Sequence, residues 1–410
     1  MSRFTKLKEI TEVITKGTTP STYGFDFIED GEINFIRAEG ISKDGYVDSS
    51  TFLRISLECD NKLKRSRLAE NDILFSIAGM ALGKTGIVKQ AYLPANTNQA
   101  VAIIRPKTEI VYPRYLHYYF INPLFYKKVN SISGQAAQPN INLEQVGSLE
   151  INLPSLPTQK RIAAILSAYD DLIENNLKRI KLLEEIAQRT YEEWFVKFRV
   201  NGEQLPVDEE TGLPVGWKIE PFNTIVEIVS GYPFKSSDYV EDGKFKIVTI
   251  KNVQDGYFVP ETTDSILEMP TKLKAEQVLN TSDIIVSLTG NVGRICLVYG
   301  DNYLLNQRVA KVVPLDEYSK AYVYFLLRSK AMITSLENLS NGAAQQNLSP
   351  INMGKMKVNI PDKNLIVKFG ELANSIIDLI SKLNLENQKL KQSRDILLPR
   401  LMSGTINVES

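Results

Sequence analysis

This chain of 410 residues holds very little of what redox, metal or acid–base chemistry needs: two cysteines, one histidine and two tryptophans. Cys59 and Cys296 lie far apart and fit no metal-ligand spacing, which excludes a disulfide scaffold and a zinc site built on paired thiols. A reduced, cytoplasmic protein with two incidental thiols is expected. His117 stands among tyrosines, where a satisfied or solvated ring is expected rather than a general base. No run of about 18 apolar residues exists, and Met1-Ser2-Arg3-Phe4-Thr5 opens no secretory signal, so no membrane association is expected. A surplus of one charge is also missing. With 48 basic and 48 acidic side chains, no global field draws in a polyanion, and any nucleic-acid contact must come from local patches.

Catalytic signatures are equally scarce. There is no H-E-x-x-H, no G-x-S-x-G and no N/D-P-P-Y/F of the amino-methyltransferases. Gly79-Met80-Ala81-Leu82-Gly83-Lys84-Thr85 approaches a phosphate-binding loop but is one residue short. Its counterpart, Gly290-Asn291-Val292-Gly293-Arg294-Ile295, lacks the hydroxyl for magnesium while keeping a cation. An anion-contacting turn fits both. Asp362-Lys363 after Pro361 is a helix N-cap rather than a nuclease motif. The chain is expected to carry no active site.

What is present comes twice. Gly17-Thr18-Thr19-Pro20 returns as Gly231-Tyr232-Pro233, and Lys62-Leu63-Lys64 as Lys272-Leu273-Lys274. Asp72-Ile73 with Ser76 and Gly79 returns as Asp283-Ile284 with Ser287 and Gly290; Asn98-Gln99 returns as Asn306-Gln307. The offset falls from 214 at the glycines to 207 at Pro154 and Pro361, so indels accumulate while order is kept. Within each copy, short apolar runs such as Ile73-Leu74-Phe75 and Ile284-Ile285-Val286 predict buried strands. The turns Asp44-Gly45 and Asp255-Gly256 separate others. Tyr112–Tyr126 and Tyr318–Arg328 have helical spacing. Each copy is therefore mixed α and β. The lysines around Leu63 and Leu273 fit either the wet face of a strand or phosphate contact. Gln138 and Asn140, recurring as Gln345 and Asn347, fit either turn chemistry or DNA contact.

A long helix follows each copy. Ile162, Ile165, Tyr169, Leu172, Leu183, Ile186 and Trp194, with Ile173 and Ile180, step by threes and fours as in a coiled-coil seam. The second helix has Ile366, Phe369, Leu372, Ile376, Leu379, Leu383, Leu390, Leu397 and Leu401, with Asn387 at a seam position where it can fix register. A helix of about 40 residues is roughly 60 Å long and cannot bury its seam alone. Its partner is either the other long helix, running antiparallel, or a second copy of the chain. Pro206, Gly212 and Pro214, with Asp208-Glu209-Glu210, mark a linker. The expected organisation is α+β: a first module at 1–154, a helix at 155–200, a linker at 201–216, a second module at 217–361, and a helix with tail at 362–410.

Several strings, taken in order, resemble the specificity subunits of type I restriction-modification systems over essentially the whole chain. They are Gly231-Tyr232-Pro233-Phe234-Lys235-Ser236, Leu213-Pro214-Val215-Gly216-Trp217, Asn98-Gln99, Asn306-Gln307 and Leu153-Pro154-Ser155-Leu156-Pro157 with Gln159. Trp194-Phe195-Val196-Lys197-Phe198-Arg199 and the ending Leu397-Leu398-Pro399-Arg400-Leu401-Met402-Ser403-Gly404 complete them. The second helix departs from the pattern, with Val367-Lys368 where the first has Lys160-Arg161 behind Gln159.

The resemblance implies two target-recognition domains, each reading half of a split site on double-stranded DNA, and helices that set the gap. It implies two adenine-N6 methyltransferase subunits and motor-nuclease restriction subunits as partners. S-adenosylmethionine, ATP and magnesium would be used by those partners and no cofactor bound by this chain. A methylate-only system and a coiled-coil scaffold with paired ligand-binding heads are the alternatives. The duplication then sorts contacts. Shared cations (Lys62, Lys64 and Lys84; Lys272, Lys274 and Arg294) suit phosphate, and unshared polar residues (Arg37, Lys43, Lys235, Lys251, Asn252) suit base edges. Trp194, Phe195, Phe198, Leu397 and Leu401 are expected either to anchor a methyltransferase or to cap the seam.

Overall fold

The computed structural model describes residues 3–132, 139–262, 264–340 and 347–408. Gln138 and Gln345 lie outside them. The chain forms two compact units, Met1–Leu172 with Leu390–Ser410, and Ile173–Lys389. Each unit thus holds one globular module and part of both long helices.

The duplication is structural. In the first unit a four-stranded antiparallel sheet has the order Thr11–Lys16, Val101–Pro106, Ile73–Ser76, Thr85–Ile87. In the second the order is Val226–Ser230, Val309–Pro314, Ile284–Ser287, Ile295–Leu297. A smaller mixed sheet follows the same plan in both, Ile33–Ile36 pairing parallel with Ala95–Thr97, and Phe245–Val248 with Tyr303–Leu305. An antiparallel ribbon closes each module, Arg3–Lys6 with Glu150–Leu153 and Lys218–Pro221 with Lys357–Ile360. The central strands Ile73–Ser76 and Ile284–Ser287 are buried throughout, which explains runs of apolar residues without alternation.

The repeated residues hold the repeated backbone. A Cβ on Gly17 would sit 2.0 Å from the Thr97 carbonyl oxygen, and one on Gly231 would sit 2.1 Å from that of Asn306. Only glycine lets the two chain segments meet there. Asp72 and Asp283 each accept from the backbone N–H three residues earlier, at 2.7 and 2.8 Å. Each carboxylate also meets a cation on the neighbouring strand, Arg105 and Lys311. Leu63 is buried and Leu273 packs on the matching small core, so the repeated leucine is a plug. The flanking lysines are not on a strand. Lys62 ends a short helix, Lys64 begins a 3-10 turn, and Lys272 and Lys274 lie in the turn before Ala275–Gln277.

The tyrosine-rich segments are helix pairs, Pro113–Ile121 with Pro123–Ile132 and Lys320–Leu327 with Lys330–Ser340. His117 is buried with its ring 3.1 Å from the Gly45 carbonyl, and burial pushes its pKa down to about 4, so the ring is neutral.

The long helices run Leu156–Tyr191 and Lys363–Met402. The first ends in a π turn, Glu192–Val196, rather than continuing to 200, and a hairpin of Arg199–Val200 with Glu203–Gln204 follows. Asp362 caps the second helix, accepting from the Asn364 N–H at 2.9 Å. Gln159 is buried, and its amide accepts from Tyr112 N–H and donates to the carbonyls of Ile110 and Pro154, fastening helix to module. In the second unit Asn374 does the corresponding work, accepting from Ala321 N–H and donating to Glu317.

Within each unit the helices run antiparallel. In the second unit Ile180 packs with Ile380 and Leu383, and Leu183, Ile376 and Leu379 join them. Asn176 donates to the Asn387 amide oxygen at 3.0 Å, so the expected polar seam residue has a polar partner. Four seam assignments need correction. Ile165 and Leu172 are 38% and 50% exposed, whereas Leu166 and Ile173, one residue later, are buried. One residue turns the helix by about 100°. The seam follows the four-three steps Ile162, Leu166, Tyr169, Ile173, Asn176, Ile180, because Ile162, Ala163 and Leu166 also fill the module core. Leu372 and Ile186 are likewise exposed, beside the buried Ala373 and Ala187. Leu390 is half-buried.

Candidate nucleic-acid interface

The shared cations stand clear of the cores. Lys62, Lys64, Lys272 and Lys274 are exposed, and Lys274 also lies 3.5 Å from Glu276. Lys84 and Arg294 occupy equivalent half-buried places. The carbonyl of each accepts from the serine ending the central strand, Ser76 at 2.8 Å and Ser287 at 3.0 Å.

The unshared residues divide. Lys43, Lys235 and Lys251 are exposed; the Lys43 ammonium lies 5.5 Å from the ring centre of Tyr126. Arg37 is half-buried where its strand ends, and its Nε has no partner among the described residues. Asn252 is not available to a base. It is 1% exposed, its oxygen accepts from Thr249 N–H and hydroxyl, and its nitrogen donates to the carbonyls of Val259 and Glu261. Every strong hydrogen-bonding position of the amide is used to shape its own loop.

The aromatic set also divides. Phe195 and Leu401 are core residues, 6% and 2% exposed, because Phe195 packs edge-to-face with Tyr322 and Phe369 and Leu401 fills the first module. Trp194, Phe198 and Leu397 are half-buried. Phe198 and Trp217 border an open cavity of about 770 Å³ in the second unit, together with Met332 and Met356.

Reading the sequence missed Arg394. It is 2% exposed, donating to Asp170 at 2.7 Å and to Asp395 at 2.8 Å. Tyr118 and Tyr46 also donate to Asp170, at 2.5 and 2.9 Å. Burial opposes the guanidinium charge, but Asp170 and Asp395 outweigh it and raise its pKa. A charged residue seven positions after the seam residue Asn387 was the signal that could have found it.

Among the described residues no group of three or more His, Cys, Asp or Glu side chains is arranged to hold a metal ion, and no helix is long and apolar enough to cross a membrane.

Two modules of one fold, each carrying exposed cations on matching turns, agree with the comparison to known families. Residues 2–185 and 214–392 both match the type I restriction modification DNA specificity domain. The chain belongs to that family. It is 27% identical to the type I restriction enzyme MjaIX specificity subunit of Methanocaldococcus jannaschii, over 98% of this chain and 93% of that one. It is 24% identical to the HindI specificity subunit of Haemophilus influenzae, over 83% and 88%. Among solved structures, the type I restriction-modification S subunit of M. genitalium shares the fold, with a TM-score of 0.61 at 16% identity over 98% and 96% of the two chains. As a type I specificity subunit, the chain works with partner subunits and DNA.

Proposed function

We propose that this specificity subunit is a non-catalytic reader of double-stranded DNA, each unit recognising one half of a bipartite target. The supporting observation is duplication of the scaffold with only part of the surface duplicated. Strand order, close glycine contacts and capped aspartates recur, while Arg37, Lys43, Lys235 and Lys251 are not matched by cations in the other unit. Matching scaffolds with different exposed side chains suit two different half-sites. Shared Lys62, Lys64, Lys84, Lys272 and Lys274 would hold phosphates, which position without specifying; the unshared cations would meet base edges. Both long helices cross the division between the units and would set the gap. Methyltransferase subunits would supply the chemistry on S-adenosylmethionine, and restriction subunits that of ATP and magnesium.

Salt-dependent binding of the assembled complex to duplex DNA tests this reading. Lys64→Ala is expected to weaken binding to every sequence alike and to flatten the log–log salt slope by about one unit. A loss confined to one base position would remove Lys64 from the phosphate set.

Methyltransferase docking is assigned to the half-buried aromatic surface. Trp194→Ala is expected to cost more than about 2 kcal/mol of partner affinity while leaving the melting of the subunit nearly unchanged. Phe195→Ala is the stability control. Equal losses of stability and affinity from Trp194→Ala would mark it as core.

A further inference from the structure

Lys84 and Arg294 are equivalent in backbone and differ in what surrounds them. The Arg294 Nη1 donates to Gln254 Oε1 at 2.5 Å. The Asn291 amide, in its hydrogen-bonding orientation, accepts from Nη1 at 3.2 Å and from Nη2 at 2.9 Å. Gln254 is itself fixed, its Nε2 donating to the Lys251 carbonyl at 3.0 Å. The backbone beneath is fixed as well. Arg294 N–H donates to the Ser287 hydroxyl, which in turn donates to the Asn291 carbonyl. A guanidinium contacting phosphate as a point charge needs none of this. Here two amides set both the position of the group and its rotation. Asn291 occupies its Nη1–Nη2 end and Gln254 takes the remaining Nη1–H. The Nε–H and the Nη2–H beside it have no partner among the described residues. Those two hydrogens are parallel and match the N7 and O6 acceptors that guanine shows in the major groove.

The first unit has the cation without the clamp. Met80 stands where Asn291 stands, 99% exposed, and Lys43 stands where Gln254 stands, before the repeated Asp-Gly turn. A lysine there offers one rotatable ammonium and no fixed pair of donors. Sharing a cation therefore does not make it a phosphate contact in both units, because the unshared neighbours decide its role.

We propose that Arg294 is a specificity-determining residue that recognises a guanine in the half-site read by the second unit, with Gln254 and Asn291 as its positioning residues. The proposal rests on the DNA-reading function proposed above. The test uses the complete complex with its methyltransferase subunits and a duplex library randomised across the methylated motif. The wild type is expected to require a G·C pair at one position in the half-site of the second unit. Arg294→Lys, which keeps the charge, is expected to reduce discrimination at that position alone by about 5- to 150-fold. Gln254→Ala, which keeps Arg294, is expected to give a smaller loss at the same position with unchanged melting. An unaltered motif in Arg294→Lys, or a loss spread evenly over all positions, would return Arg294 to the phosphate class. A motif without G·C in that half-site would also overturn the proposal. A wild-type complex showing no sequence preference would instead overturn the reading on which it rests.

Discussion

Arg394→Ala should remove about 3–5 kcal/mol of stability, measured by urea unfolding of the intact subunit. The guanidinium is 2% exposed and compensates the carboxylates of Asp170 and Asp395. Its removal leaves Asp170, itself mostly buried, with only the hydroxyls of Tyr46 and Tyr118 among the donors described above. Most of the cost is this stranded charge, because a lone buried carboxylate pays desolvation without Coulombic return. Arg394→Met combined with Asp170→Asn removes both charges and should recover much of the loss. The tyrosine hydroxyls can still donate to the asparagine oxygen. A loss below about 1 kcal/mol in Arg394→Ala would show that water reaches Asp170 and that the network is not buried in solution.

Removing seven residues from each long helix should shorten the gap between recognised half-sites. Residues 177–183 and 380–386 lie just beyond the facing pair Asn176 and Asn387, and a heptad deletion keeps the remaining seam in phase. Seven residues span about 10 Å, close to three base pairs at about 3.4 Å each. The methylated motif of the deleted complex should have a spacer about three base pairs shorter, or methylation should fail. An unchanged spacer would show that the helices do not set the distance. Asn176 and Asn387 are kept because they discourage the seam from slipping to a neighbouring register, which would blur the result.

The sequence made the architecture legible because duplication is an internal alignment. Residues repeated for backbone reasons, such as Gly17 with Gly231 and Asp72 with Asp283, stood out against those that differ. The phase of the seam was harder. Ile165 and Leu172 carry the right chemistry at nearly the right spacing, and only burial distinguishes them from Leu166 and Ile173. The stripe facing a module and the stripe facing another helix overlap, and a list of apolar residues does not separate them. Asn252 misled for a related reason. A polar residue in a loop between strands looks available until its bonds are traced, and these all turn back into the loop. Arg294 was read with the shared cations as a phosphate contact, but its setting depends on Gln254, 40 residues away in sequence and replaced by Lys43 in the first copy.

Beside the amides of Gln159 and Asn374, which do the same work in both units, the modules are fastened to the helices by different chemistry. In the first unit the head reaches the helices through Tyr46 and Tyr118, which meet Asp170 and Arg394. In the second, Arg328 of the head lies 3.6 Å from Glu184, and the place of Asp170, by the 207-residue offset, belongs to Ile377, buried in one apolar core with Ala187. Exchanging the globular heads alone would therefore set tyrosine hydroxyls against Ile377 and bring Arg328 against Lys391, which stands in the place of Glu184 by the same offset. A graft intended to give this subunit a new half-site should carry the helix segments along with the head. The transplantable piece is discontinuous in sequence, and a chimaera cut at the two proline-marked module boundaries is expected to express less stably than one cut within the helices.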